Sequence, residues 1–160
     1  MREAVYNLLK ELDIKYEVTE HRAVFTVEDA DSLDLEAFGK GTKNLFLRDN
    51  KKKNYYILVL CNEKRADLKA IRGKLESRPL TFASEEELFG LLKLYRGAVT
   101  PFGVINDVER RVEVIFDKDI FEFDRIGEHP NENTATLWLD PLDLKKAIEY
   151  TGNRTRVIEV

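Results

Sequence analysis

The run Tyr55-Tyr56-Ile57-Leu58-Val59-Leu60-Cys61 restricts the possible folds of this chain more than any other segment. Continuous apolar character without alternation is what a strand covered on both faces requires. Asn44–Arg48, just before it, reads as a second strand, and Asp49-Asn50-Lys51-Lys52-Lys53-Asn54 reads as the hairpin turn between them.

Helical patterns surround this hairpin. Val5, Leu8, Leu9 and Leu12 follow i, i+3, i+4, i+7 spacing and predict an amphipathic helix over 2–12. Thr26 and Asp29 resemble a capping box opening a helix over 27–38, which Gly39-Lys40-Gly41 ends. Asp67 and Ser84 are N-cap candidates for helices near 67–74 and 84–92. Asp140-Pro141 starts a last helix, with proline at its first position. Further strands are expected at 15–20, 103–106, 111–116, 134–139 and 155–160, with Asn106-Asp107 as a turn. Helices interleaved with hairpin-linked strands imply an α+β domain built on a mixed sheet. Without repeats or a Pro/Gly/Ser linker, the 160 residues read as one domain, 1–160.

Composition excludes several classes. The chain is 43% hydrophobic, too apolar for disorder, yet no run approaches the roughly 20 apolar residues of a membrane span. Glu3 and the absence of an early apolar stretch argue against a signal peptide. Cys61 is the only cysteine, so no internal disulfide forms and a reducing, cytoplasmic setting is expected. Net charge is −4, but Lys40–Arg78 holds twelve basic and four acidic residues, a local +8. Such segregation suggests one face that attracts a polyanion; it is also compatible with solvated helix and hairpin faces.

Phosphate-loop, dinucleotide, nucleophile-elbow and zincin motifs are all missing. A thiol among Leu58, Val59 and Leu60 should be neutral and inert, and no metal site or cofactor is expected. Four segments stand out instead. In Lys43-Asn44-Leu45-Phe46-Leu47-Arg48, a lysine and an amide sit where a glycine-rich loop enters a strand. Gly97-Ala98-Val99-Thr100-Pro101-Phe102-Gly103 makes a loop whose backbone can approach a ligand closely. His129-Pro130-Asn131-Glu132-Asn133-Thr134-Ala135-Thr136 places a titratable ring in a turn-rich loop before a strand. Arg78, in Ser77-Arg78-Pro79-Leu80, could clamp a phosphate. Alone, such segments are more often ordinary solvated or structural features.

In this order and spacing, with His21-x-x-Val24-Phe25-Thr26-Val27 ahead of them, the motifs resemble the YbaK/ProX-type aminoacyl-tRNA deacylases over essentially the whole chain. The nearest likeness is to the free-standing branch that clears alanyl-tRNA(Pro). The resemblance implies a twisted, mostly antiparallel sheet flanked by helices, and hydrolysis of the ester of a mischarged tRNA. It assigns Lys43, Asn44, Gly97, Pro101 and His129 to the catalytic site, and Phe25, Thr26, Val99, Thr100, Phe102 and Gly103 to the acyl pocket. Arg48, Arg78 and Lys40 would meet tRNA phosphates. The implied partners are the tRNA(Pro) acceptor end and prolyl-tRNA synthetase, with no membrane. The same fold with cysteinyl or seryl specificity, or a non-catalytic tRNA or synthetase binder, are the alternatives. Physically, a proline-shaped synthetase pocket rejects alanine weakly, because a missing methylene is worth only roughly 1–3 kcal/mol.

Overall fold

The computed structural model describes residues 2–23 and 36–160. Among these, the chain forms α1 (Arg2–Glu11), β1 (Glu17–Glu20), β2 (Lys40–Asp49), β3 (Tyr55–Cys61), α2 (Leu68–Leu75), β4 (Leu80–Phe82) and α3 (Glu85–Leu92). It continues with β5 (Val112–Asp117), β6 (Ile126–Glu128), β7 (Ala135–Leu139), α4 (Pro141–Tyr150) and β8 (Thr155–Ile158). The sheet runs β1-β7-β6-β2-β3-β5-β8, with β4 also pairing β2. The β1–β7, β6–β7, β2–β3 and β2–β4 pairs are antiparallel. The β2–β6, β3–β5 and β5–β8 pairs are parallel, so the sheet is mixed.

Strand β3 lies at the centre, and every one of its side chains is buried. Its two faces feed two cores. Tyr55, Ile57, Val59 and Cys61 pack with Val5, Leu8 and Leu9 of α1, Leu88 and Leu92 of α3, and Leu144 and Ile148 of α4. Tyr56, Leu58 and Leu60 pack on Ile71 and Leu75 of α2. At roughly 1.5–3 kcal/mol for each fully buried large side chain, this strand is the main hydrophobic anchor of the sheet. Burial also pushes the Cys61 thiol up, which keeps it neutral.

Local chemistry explains the helix ends. Asp67 accepts from the Lys69 and Ala70 amides at the start of α2. Ser84 and Glu87 close a capping box at α3, and Asp140 caps α4 just before Pro141.

The expected strand at 103–106 is instead a buried 3₁₀ turn, Pro101–Asn106. Thr100 accepts from the Phe102 amide, proline presets φ at the first position, and the Gly103 and Asp107 amides bond back to Thr100 and Val104. A Cβ at Gly103 would sit 2.6 Å from Leu94 Cδ1, so glycine is what lets this turn wedge against the core. The expected helix over 27–38 falls mostly outside the described residues; Glu36–Phe38 closes in a 3₁₀ turn. Strands β4 and β6, three residues each, are too short to leave a periodic signal.

Candidate active site

Three elements meet at the start of β2. Ladder pairing on one edge of β2 covers Lys40 and Gly41 through β6, and Leu47 to Asp49 through β4. Between them, residues 42–45 pair only with β3 among the described residues, while the Phe46 carbonyl accepts from the Ala83 amide at 2.9 Å. An interrupted edge leaves backbone donors and acceptors available, as a substrate cleft needs.

Thr42, Asn44 and Phe46 share one face of β2 by alternation. The Asn44 amide donates to the Val99 carbonyl at 3.0 Å and to Glu128 Oε2 at 2.7 Å. Both partners are acceptors, so the amide nitrogen must face them. Asn44 Oδ1 is then left buried with no partner. Thr42 Oγ1 lies 2.7 Å from the Gly127 carbonyl and 2.6 Å from Glu128 Oε1. Glu128 is 2% exposed, and burial pushes its carboxyl up to about 7 against the pull of Thr42 and Asn44. A Cβ on neighbouring Gly127 would meet Trp138 at 2.6 Å, which fixes how closely β6 and β7 approach.

The loop ahead of the 3₁₀ turn turns at Gly97, whose φ of 87° favours glycine. Thr100, Pro101, Phe102 and Gly103 are buried behind it, and Val99 is half-buried. On the other side of β6, His129 Nδ1 donates to the Ala135 carbonyl at 3.1 Å, leaving Nε2 as an acceptor in the neutral ring. Burial holds this histidine below its ordinary value, against the Ala135 carbonyl and with help from His21. The two imidazoles lie edge to face, 6.3 Å apart, and His21 Nε2 meets Thr136 Oγ1 at 2.8 Å. Asn131, in the same loop at a φ of 63°, is buried with both amide atoms unpartnered.

The expected residues are thus not equally convergent. Asn44 and Val99 touch, which brings the Gly97–Pro101 loop against the Asn44 face of β2. Lys43 is opposite Leu60 in the register and shares the face of Leu45 and Leu47, so its side chain leaves the strand on the side away from Asn44. Phe25 and Thr26 lie outside the described residues. Lys40 pairs with Glu63 at 2.7 Å, and Arg48 pairs with Glu87 at 3.1 Å. Among the described residues, the Arg78 guanidinium bonds only the Asn50 side chain, on the rim of a cavity of about 710 Å³ that Arg154, Arg156 and Tyr56 also line. Tyr56 lies three residues along β3 from Val59, the partner of Asn44, or roughly 10 Å at about 3.4 Å per residue. Glu128 escaped sequence reasoning. Its one signal was adjacency to His129, since nothing in sequence couples it to Thr42 or Asn44.

Known proteins bear on this site. Residues 21–147 match the family model of the aminoacyl-tRNA editing domain. The chain is 42% identical over 159 residues to the prolyl-tRNA editing protein ProX of Acetoanaerobium sticklandii, covering 99% of this chain and 97% of that one. It is 32% identical to prolyl-tRNA synthetase associated domain-containing protein 1 of Xenopus laevis, covering 99% and 96%. A crystal structure of a candidate trans-editing enzyme for prolyl tRNA synthetase superimposes with a TM-score of 0.72 at 20% identity, covering 99% and 96%, a likeness of fold. Among the described residues, no helix is long and apolar enough to cross a membrane. On these matches, the chain belongs to the aminoacyl-tRNA editing domain family and is an aminoacyl-tRNA hydrolase.

Proposed function

We propose that this trans-editing deacylase clears alanyl-tRNA(Pro), acting on the acceptor end in association with prolyl-tRNA synthetase. The supporting observation is the Asn44 side chain, tied to Val99 and Glu128 with its Oδ1 buried and left without a hydrogen-bond donor. The relatives in Acetoanaerobium sticklandii and Xenopus laevis, a prolyl-tRNA editing protein and a prolyl-tRNA synthetase associated domain protein, point the same way.

An aminoacyl ester is reactive enough to need no covalent nucleophile. Orienting water and stabilising the oxyanion suffice, each such donor being worth about 3–4 kcal/mol. In this reading the acylated adenosine lies along the open edge of β2. A ligand against an edge meets side chains from both faces, so Asn44 orients the ester from one side and Lys43 reaches it from the other. Backbone groups of Gly97–Pro101 hold the amino group and water, and the buried Thr100-Pro101-Phe102-Gly103 wall excludes proline. His129 lines the pocket or positions the terminal ribose; the substrate's 2′-hydroxyl assists proton transfer. Deacylation of alanyl-, cysteinyl-, seryl- and prolyl-tRNA(Pro) side by side tests the assignment. Rapid loss of the alanyl ester with prolyl spared is expected. Equal attack on prolyl-tRNA(Pro) would remove the size argument, and a preference for cysteinyl or seryl ester would move the specificity.

Arg78 is the one of the three proposed phosphate contacts that no described carboxylate pairs. Arg78→Ala should weaken tRNA binding several-fold and reduce the salt slope by about one. Binding measured between low and moderate salt checks this; an unchanged slope would leave Arg78 as a solvated residue.

A further inference from the structure

The Glu128 carboxyl has a hydrogen-bond arrangement that only one protonation state completes. Thr42 owns a single hydroxyl hydrogen, yet its oxygen is within 2.7 Å of the Gly127 carbonyl and 2.6 Å of Glu128 Oε1. A carbonyl accepts only, so that hydrogen belongs to Gly127 and the second close contact needs another. Resting on the deacylase reading above, we propose that Glu128 is a positioning residue that works as a neutral acid. Its Oε1–H donates to Thr42 Oγ1, and Oε2 joins the Val99 carbonyl in taking both amide hydrogens of Asn44. This fixes the Asn44 amide in one orientation, with the buried, unpartnered Oδ1 left as the acceptor for an N–H or O–H of the acylated adenosine. Glu128 itself never touches the reacting atoms.

Ionisation undoes the arrangement. The carboxylate and the Gly127 carbonyl then compete for one hydrogen, and the contact that loses becomes repulsive. A buried, unpaired charge is strongly disfavoured, so the group moves toward water and releases Asn44. From β2 the carboxyl is faced by Thr42 and Asn44, and from the 97–101 loop by the Val99 carbonyl. Its β7 partner is Leu137. Among the described residues, the titratable neighbours are His129, the next residue, and His21 beyond it; Lys43 leaves from the opposite face of β2.

Glu128→Gln supplies the same donor and acceptor without a titratable proton. Its deacylation at pH 6 should stay within about twofold of wild type. Above pH about 7, once spontaneous ester hydrolysis is subtracted, it should keep the rate that wild type loses. Glu128→Ala should lower kcat about 100-fold with KM little changed, as misplacement of an orienting group does. An infrared titration of the wild type, read against Glu128→Gln, should show one protonated carboxyl persisting to near neutral pH. Glu128→Gln as inactive as Glu128→Ala, a shared pH profile, or an ionised Glu128 at pH 6 would each overturn the proposal. Absence of deacylase activity on every mischarged tRNA would instead sink the substrate reading, while the infrared titration would still decide the state of Glu128.

Discussion

Lys43→Ala should abolish deacylation of mischarged tRNA while thermal unfolding stays close to that of wild type. Asn44→Ala should abolish it too, and should also destabilise the protein by about 1–3 kcal/mol. The two differ because strand alternation gives them different surroundings. Asn44 supplies the hydrogens for the Val99 carbonyl and Glu128 Oε2, so its removal orphans two acceptors and loosens the loop. Lys43 stands beside Leu45 on a half-buried face and pairs with no buried carboxylate among the described residues. A loss of about 100-fold or more in single-turnover rate is expected for each, since an orienting or charge-stabilising donor is worth roughly 3 kcal/mol or more in the transition state. Single-turnover kinetics beside thermal unfolding checks the pair. Unchanged turnover in Lys43→Ala would remove the lysine from the mechanism. Unchanged turnover in Asn44→Ala would remove the whole edge-bound pose.

Glu87→Gln should destabilise the protein by about 3 kcal/mol at pH 7, with the difference vanishing near pH 2. Burial alone would raise the Glu87 carboxyl. Bonds from Tyr55 at 2.5 Å, the Ser84 amide at 2.9 Å and Arg48 at 3.1 Å override this and hold it at about 2, below its ordinary 4.5. A depressed folded value means the contribution is complete above about pH 4.5 and is lost as pH falls toward 2. Glu128 has the opposite sign. Its folded value of about 7 lies above 4.5, so the native state holds a proton that the unfolded chain has released, and stability falls as pH rises between those values. Urea unfolding at several pH values separates them: Glu87→Gln flattens the acid limb and Glu128→Gln the neutral one. A Glu87→Gln deficit that does not change with pH would show that packing, not charge, carries it.

Much of the candidate site was proposed from the chain alone. Lys43-Asn44, Gly97-x-x-x-Pro101 and His129-Pro130 were recognisable because each combines residue types with restricted backbone or chemical behaviour at short spacing. Arg48 illustrates where this fails. As a sequence feature it is a basic residue in a basic segment; in the fold it is paired to Glu87, thirty-nine residues away. Lys40 and Lys64 likewise meet Glu63 and Asp117, so the charge of the segment overstates what is left for a polyanion. Phe102-Gly103-Val104-Ile105 reads as a strand because apolar composition is the same for a strand and a buried turn. Thr100 and Pro101, which cap and start the turn, decide between them.

The chain by itself determined the central strand, the capped helices and the family, because burial pattern, capping chemistry and motif spacing are local properties of covalent order. Tertiary structure alone decided which face of β2 meets Val99 and Glu128, and that part of one edge has no ladder partner among the described residues. It also brought Glu128 across from β6 to complete the Thr42–Asn44 network. Register and hydrogen-bond partnership join residues more than eighty positions apart, and no short-range pattern encodes which acceptor a buried amide will find.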